Sequence, residues 1–112
     1  MTIIRVIDFE TTGTEPPAQV CEVGYCDVDV TNRDIQPWKS WLCGVNSMPP
    51  DVRAVHHISL AECDGFPPFD PDTCDSDAVY GFAAHNADFE GKFFQTPKPM
   101  ICTYKAALRV WP

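Results

Sequence analysis

Asp8 and Glu10 are carboxylates one residue apart at the end of an apolar, β-branched run that begins at Ile3. Because side chains in a strand alternate between faces, both carboxylates point to the same side, with Cα atoms about 6.6 Å apart. Two like charges at the end of a hydrophobic strand are costly unless a positive group neutralises them. The pair therefore indicates a site for one divalent cation, or for two cations about 3.5–4 Å apart. A strand that simply ends in solvent remains an alternative on these residues alone.

The elements that must position this pair follow from hydrophobic periodicity. Apart from Arg5, both faces of residues 3 to 7 are apolar, which predicts a central strand covered on both sides. Further strands are predicted at 19–30, 38–43 and 78–84, the first three strands forming an antiparallel meander. Helices are predicted at 51–58, from 60, from 87 and at 104–111, with an irregular acidic loop at 64–77.

The predicted helix starts rest on capping residues. Ser59 begins an S-x-x-E capping box, Asn86 is a natural N-cap for the helix from Ala87, and Thr103 is expected to cap the last helix. In the helix after Asn86, Phe89 and Phe93 are four residues apart and are expected to face the core.

Four phrases of the chain resemble those of the DEDDh group of 3′-to-5′ exonucleases. V-I-D-F-E-T-T-G, from Val6, resembles their first motif, and H-N-A-D-F-E, from His85, resembles the second motif, usually written H-N-x-x-F-D. Residues 53–59 resemble an A-x-x-x-H-G-I-T phrase, and residues 100–112 are similar to the closing phrase I-C-T-x-K-x-A-x-x-x-W-P of one bacterial branch. Together these matches span nearly the whole chain, and the combination is far more specific than any one of them.

The resemblance implies an α/β fold of the ribonuclease H type, a mixed sheet flanked by helices and incomplete at the C-terminus. Residues 1–112 are expected to be the N-terminal portion of a single exonuclease domain. The implied activity is hydrolysis of the terminal phosphodiesters of DNA or RNA to nucleoside 5′-monophosphates, with two Mg²⁺ or Mn²⁺ ions as cofactors. The implied partner is a single-stranded 3′ end of DNA or RNA, and a homodimer is left open.

The same resemblance assigns roles to individual residues. Asp8, Glu10 and Glu90 are the expected catalytic carboxylates and metal ligands. The expected substrate-binding residues are Thr11, Thr12, Gly13 and His56. For His56, a surface histidine or a satisfied core histidine is an equally good interpretation. Glu22, which matches an acidic position of the family, is expected either to support the site or to lie at an exposed edge.

Glu90 stands where the family has aspartate, and Asp88 is its rival. The two are about 200° apart around a helix, so both cannot face the same metal ions. Asp88 suits the first helical turn and is four residues from Lys92, whereas Phe94 occupies that spacing from Glu90. Glu90 is therefore the favoured third carboxylate, its longer side chain making a looser contact, for instance through a water.

The family's third motif, a histidine followed five residues later by an aspartate, has no counterpart in this sequence. Either the sequence is an N-terminal fragment or it lacks the general base. Proton transfer by such a base is typically worth 10²- to 10⁴-fold, so we expect these 112 residues alone to be inactive or nearly so. One alternative is a non-catalytic nucleotide- or nucleic-acid-binding module of the same fold. Another is a structural or interaction domain without metal.

Composition limits the remaining classes. The 112 residues suffice for one small domain, and 16 acidic against 8 basic residues give a net charge of −8, which argues against a general DNA-coating protein. The six cysteines contain no CxxC pair, and we predict reduced thiols in a cytoplasmic protein. A zinc site built from His56, His57, Cys63 and Cys74 would match no familiar spacing. No apolar run approaches the roughly 20 residues that span a bilayer, so no membrane partner is expected.

Overall fold

The strands of a computed structural model, which describes residues 1 to 111, form one mixed sheet. They are β1 (Ile3–Thr11), β2 (Val20–Asp29), β3 (Asp34–Ile35), β4 (Lys39–Leu42), β5 (Val79–Ala84) and β6 (Met100–Cys102). The order across the sheet is β3-β2-β1-β5-β6, with β4 also paired to β2. β2 runs antiparallel to β1, β3 and β4, whereas β5 is parallel to both β1 and β6. The expected mixed sheet is therefore confirmed. Pro112, which ends the closing phrase, lies outside the described residues.

β1 is the central strand, as its apolar sequence predicts. Ile7 and Phe9 on one face are almost completely buried. The ring of Phe9 meets Phe69 edge to face with centroids 5.2 Å apart, and Phe94 packs in the same way against Phe82 at 4.8 Å. Such aromatic pairs add stability beyond the area that they bury. This core holds the end of β1, where the two carboxylates lie, in a fixed position.

Arg5 is the one charged residue within the apolar part of β1, and it is buried. The register places Asp27 of β2 directly opposite, and the guanidinium donates to both carboxylate oxygens, at 2.7 and 2.9 Å. A third nitrogen donates to the carbonyl of Cys74 at 2.9 Å, and the guanidinium carbon lies 4.0 Å from the centroid of the Tyr25 ring. The charge is thus fully partnered, and Arg5 ties β1 to β2 and to the turn around Cys74.

The helices are short and surround the sheet. They are α1 (Pro50–His56), α2 (Leu60–Cys63), α3 (Ala87–Glu90) and α4 (Thr103–Val110), with a 3₁₀ turn at Pro71–Cys74. The prediction of α2 from its capping box is confirmed, because the Ser59 hydroxyl accepts from the Glu62 N–H and the Glu62 carboxylate accepts from the Ser59 N–H. None of the helices within residues 1–111 has both the length and the apolar character needed to cross a membrane.

The prediction of a longer helix after Asn86 was wrong. α3 ends at Glu90 after 4 residues, and the Asn86 side chain makes no capping hydrogen bond. Gly91 follows, and the chain turns so that Phe94, 3 % exposed, reaches the core while Phe93 is only partly buried. Phe89 and Phe93 pack against each other with centroids 5.4 Å apart. Packing of Phe94 beside Phe82 is therefore favoured over continuation of the helix, because Gly91 has a poor helix propensity.

The predicted cap of the last helix was also misplaced. Cys102 is the N-cap and Thr103 is the first residue of α4. The Thr103 hydroxyl lies 3.1 Å from Nδ1 of His85 and 3.4 Å from the carbonyl oxygen of Ala84. It is therefore drawn toward the end of β5, so it cannot cap its own helix.

Candidate functional site

The carboxylate end of β1 carries a bulge. Glu10 is opposite Glu22 and Thr11 is opposite Val20, so Cys21 is an extra residue in β2. Bulges of this kind redirect side chains and are common beside functional sites. Glu22 thus lies beside Glu10 in the sheet and is only partly buried. It adds negative charge to the neighbourhood of Glu10 without lining the cavity described next.

A cavity of about 470 Å³ opens at this end of β1, which is within the size range of small-molecule sites. Its walls come from the end of β1 and the following turn, from α1, and from the start of α3. The lining residues are Asp8, Phe9, Glu10, Thr11, Gly13, Thr14, Asp51, Val52, Val55, His56, Asn86, Phe89 and Glu90. Four of these described residues are carboxylates and none is lysine or arginine, so the cavity has an excess of negative charge.

Asp8, Glu10 and Glu90 meet at this cavity. Glu90 is only 5 % exposed, and its Oε2 accepts a hydrogen bond from the Phe9 N–H at 3.3 Å. The pKa of Glu90 is raised to about 7, chiefly by burial and also by the charges of Asp8 and Glu10, while the hydrogen bond from the Phe9 N–H opposes the shift. A carboxyl from α3 thus lies against the backbone between the two carboxylates of β1.

The two carboxylates of β1 also have raised pKa values. Asp8 opens to solvent on one side, but the surrounding protein removes part of its hydration, which raises its pKa. Loss of hydration is the main reason why the pKa of Glu10 is raised, followed by the charge of Asp8, whereas His56 lowers it. A cation bound beside these three carboxyls would stabilise their charged forms and lower their pKa values.

The donor chemistry of this group suits a hard divalent cation, because carboxylate oxygens are the ligands that Mg²⁺ and Mn²⁺ prefer. As the side chains stand, however, residues 1–111 contain no three histidine, cysteine, aspartate or glutamate groups placed to hold one ion together. The residues therefore fit a cation in type and charge but form an incomplete ligand set.

Asp88 and Glu90 are in different surroundings. Asp88 is exposed and pairs with Lys105 at 3.0 Å, outside the cavity lining. Lys92, the partner expected for Asp88 from helical spacing, instead pairs with Glu15. Of the two candidates, Glu90 is the one that faces Asp8 and Glu10.

The turn after β1 divides its residues between two tasks. Thr11 and Gly13 line the cavity, and the Thr11 hydroxyl donates to the Gly13 carbonyl at 2.6 Å. Thr12 is buried away from the lining, where its hydroxyl accepts from the Gln19 N–H at 2.9 Å. The Thr12 side chain therefore shapes the turn, and the contact of Thr12 with a nucleotide stays a prediction.

Sequence reasoning found the acidic side of the cavity but missed most of its other side. Asp51, Val52 and Val55 of α1 line it, and so does Asn86 before α3. Val52 and Val55 are three residues apart, a spacing that puts both on the same side of a helix. The spacing of Val52 and Val55 was the sequence signal for this wall of the cavity. It does not show where α1 packs in the fold. His56 was found from the resemblance, and it does line the cavity.

Comparison with known proteins agrees with the resemblance to exonucleases found in the sequence motifs. No protein-family model matches it. Exodeoxyribonuclease 10 of Escherichia coli K12 is 27 % identical over 111 residues, which is 98 % of this chain and 49 % of that protein. The chain therefore spans about half the length of the curated relatives that it matches.

Solved structures agree with the sequence comparison. A structure of exonuclease X in complex with 5′ overhanging duplex DNA superposes with a TM-score of 0.81 at 30 % identity, covering 97 % of this chain and 64 % of that one. Escherichia coli exonuclease I in complex with a dT13 oligonucleotide superposes with a TM-score of 0.73 at 11 % identity, covering 100 % of this chain and 31 % of that one, which shows the fold alone. The sheet is thus of the ribonuclease H type. The resemblance to bacterial exonucleases, with exonuclease X among them, is therefore confirmed in both sequence and fold.

Proposed function

We propose that this cavity is the substrate end of a metal-dependent 3′-to-5′ exonuclease domain, which hydrolyses terminal phosphodiesters of DNA or RNA to nucleoside 5′-monophosphates. The observation that carries the proposal is the meeting of Asp8, Glu10 and Glu90 at one cavity with no lysine or arginine among its described lining residues. Residues 1–112 would be the N-terminal portion of that single domain. The remaining catalytic groups would come from the part of the relatives' length that this chain does not span.

The carboxylates would divide the work. Asp8 and Glu10 would supply ligand oxygens to Mg²⁺ or Mn²⁺. When bound, the cation would stabilise charge on the phosphate and activate the attacking water. Glu90 would add a third negative group behind the pair, and the Phe9 N–H would fix the orientation of its carboxyl.

The other walls of the cavity would hold the terminal nucleotide. Thr11 and Gly13 would present their backbone to it. Val52 and Val55 offer an apolar surface to the sugar and base, and Phe89 is a partly buried aromatic ring in the same lining. Stacking of a base on an aromatic ring is worth about 1–3 kcal/mol and does not depend strongly on sequence, which suits an enzyme that removes one nucleotide after another.

The test combines binding with cleavage. We expect the 112 residues to bind a nucleoside 5′-monophosphate in the presence of Mn²⁺, and we expect Asp8→Asn and Glu10→Gln to abolish this binding. Asp88→Asn removes a carboxylate outside the cavity and should leave the binding intact. With 5′-labelled single-stranded DNA or RNA, we expect little or no shortening from the 3′ end, because the third-motif base has no counterpart in the sequence.

One result would contradict the proposed metal site, and another would contradict the expected inactivity of the 112 residues. Nucleotide binding that does not change with Asp8→Asn and Glu10→Gln would show that these two carboxylates do not form a metal site needed for binding. Rapid, Mn²⁺-dependent shortening by the 112 residues alone would overturn the expected inactivity while supporting the nuclease assignment.

A non-catalytic binding module is the second candidate, and two observations favour it. Glu90 replaces the usual aspartate and is held by the Phe9 N–H, and the described residues contain no three groups placed to ligate one ion. Nucleotide binding in the presence of a chelator would indicate this module, since the exonuclease proposal requires the cation.

The finer points of the proposal concern the partner and its setting. The proposed ligand is a single-stranded 3′ end, the proposed process is DNA repair, and the proposed location is the cytoplasm. Parallel assays on DNA and RNA of one sequence would separate the two substrates. Analytical ultracentrifugation would decide whether the chain forms a homodimer.

A further inference from the structure

Both ring nitrogens of His56 are engaged by backbone groups, one just after α1 and the other at the end of β1. Nδ1 lies 3.1 Å from the backbone nitrogen of Ile58, which can only donate. Nε2 lies 3.2 Å from the carbonyl oxygen of Thr11, which can only accept. The sulfur of Cys21, the extra residue of the bulge, lies 3.8 Å from the same Nε2.

These two contacts select one form of the imidazole. Because the Ile58 N–H needs a lone pair on Nδ1, the ring hydrogen must lie on Nε2, where it can donate to Thr11. A ring with its hydrogen on Nδ1 would lose both contacts, and a doubly protonated ring would lose the contact with Ile58.

The link matters because, apart from Met48 before it and Ile58 after it, which pack in a small core cluster with Cys21, α1 has little to hold it. The helix Pro50–His56 contains no buried residue and has no side-chain N-cap. Yet its Val52 and Val55 line the cavity, and so does Thr11 of β1. The side chain of His56 joins α1 to the end of β1.

We propose that His56 is a positioning residue, whose Nε2–H imidazole clamps the end of α1 to the end of β1 and so sets the width of the nucleotide cavity. This inference rests on the function proposed above in one respect, which is that the ligand of the cavity is a nucleotide. The role differs from direct contact with the nucleotide, because both nitrogens are already occupied by the protein.

Two substitutions separate the two nitrogens. Glutamine can place an amide N–H near the position of Nε2, whereas asparagine can place a carbonyl oxygen near that of Nδ1. We expect His56→Gln to keep the affinity for deoxythymidine 5′-monophosphate with Mn²⁺ within about twofold, and His56→Asn and His56→Ala to weaken it about tenfold, the effect of one hydrogen bond. His57→Asn is the matched control: this neighbouring histidine is exposed and does not line the cavity, and asparagine tolerates its positive φ.

A spectroscopic measurement tests the clamp without any ligand. Long-range ¹H–¹⁵N correlation spectra at about pH 8, where a free imidazole is neutral, report which nitrogen carries the hydrogen. We expect a single Nε2–H form for His56. Faster amide exchange in α1 is expected for His56→Ala and His56→Asn but not for His56→Gln. A Nδ1–H ring, a mixture of forms, or rescue by asparagine in place of glutamine would overturn the clamp. If the spectra show the clamp and no nucleotide binds, the proposed function fails while the clamp stands.

Discussion

At Glu90, burial and two neighbouring carboxylates both oppose ionisation. The pKa rises from 4.5 in the unfolded chain to about 7 in the folded protein. Between these values the folded state binds more protons than the unfolded state, so stability must fall as pH rises through this window. We expect a loss on the order of 3 kcal/mol from pH 4.5 to 7, in the absence of divalent cations.

Urea unfolding over a pH series measures this loss. Glu90→Gln should flatten the slope, and Asp88→Asn, which changes a carboxylate outside the cavity, should keep it. The raised pKa values of Asp8 and Glu10 act in the same direction as Glu90. The lowered pKa values of Asp29, Glu62 and Asp75 act only at lower pH, where those groups begin to protonate. Stability that increased from pH 5 to pH 7 would contradict the buried position of Glu90.

Among the strands, the pair between Arg5 and Asp27 is the contact whose loss should cost most. Removing Arg5 leaves the partly buried charge of Asp27 without its partner, and the loss of hydrogen bonds to a charged group costs about 1.5–3 kcal/mol. We therefore expect Arg5→Met to lower the free energy of unfolding by about 2 kcal/mol or more, measured by urea unfolding. Lys105→Met breaks an exposed pair with Asp88 and should cost less than about 1 kcal/mol. Equal effects of the two substitutions would show that Arg5 is not held as described.

At the end of α1, His57 occupies a left-handed conformation with φ 63° and ψ 17°. Side chains other than glycine pay roughly 1–2 kcal/mol for this conformation, and the exonuclease phrase that this segment resembles has glycine there. We expect His57→Gly to raise the free energy of unfolding by about 1 kcal/mol, which a shift in melting temperature would detect. Arg33→Gly, at φ 56° in a separate turn, should behave alike, whereas His57→Ala should not stabilise. Destabilisation by His57→Gly would mean that the His57 side chain makes a contact worth more than the strain.

The elements differ in how far the sequence could predict them. β1 and α2 follow from local rules, because an apolar run and a capping box act over a few residues. The length of α3 could not be predicted, since it depends on the place that the distant Phe9 and Phe82 leave for Phe94. Three of the four carboxylates of the cavity, Asp8, Glu10 and Glu90, were predicted, whereas the pairing of Arg5 with Asp27 required the β1–β2 register.

Across the whole molecule, the net charge of −8 makes cation binding favourable in more than one place. The loop between α2 and β5 alone carries Asp64, Asp70, Asp72, Asp75 and Asp77. A rise in melting temperature with Mn²⁺ therefore shows binding to the folded state, about 2.7 kcal/mol at a hundredfold excess over Kd, but not where the ion binds. The location has to be measured directly.

Paramagnetic broadening by Mn²⁺ in the amide spectrum of the 112-residue protein is the measurement that tests the central claim most directly. We predict that substoichiometric Mn²⁺ first removes the signals of Asp8 to Thr11 and of Glu90, and that Asp8→Asn and Glu10→Gln each prevent this loss. Broadening centred on residues 64–77, or spread evenly over the acidic surface and unchanged in these variants, would contradict the claim that Asp8, Glu10 and Glu90 form a cation site.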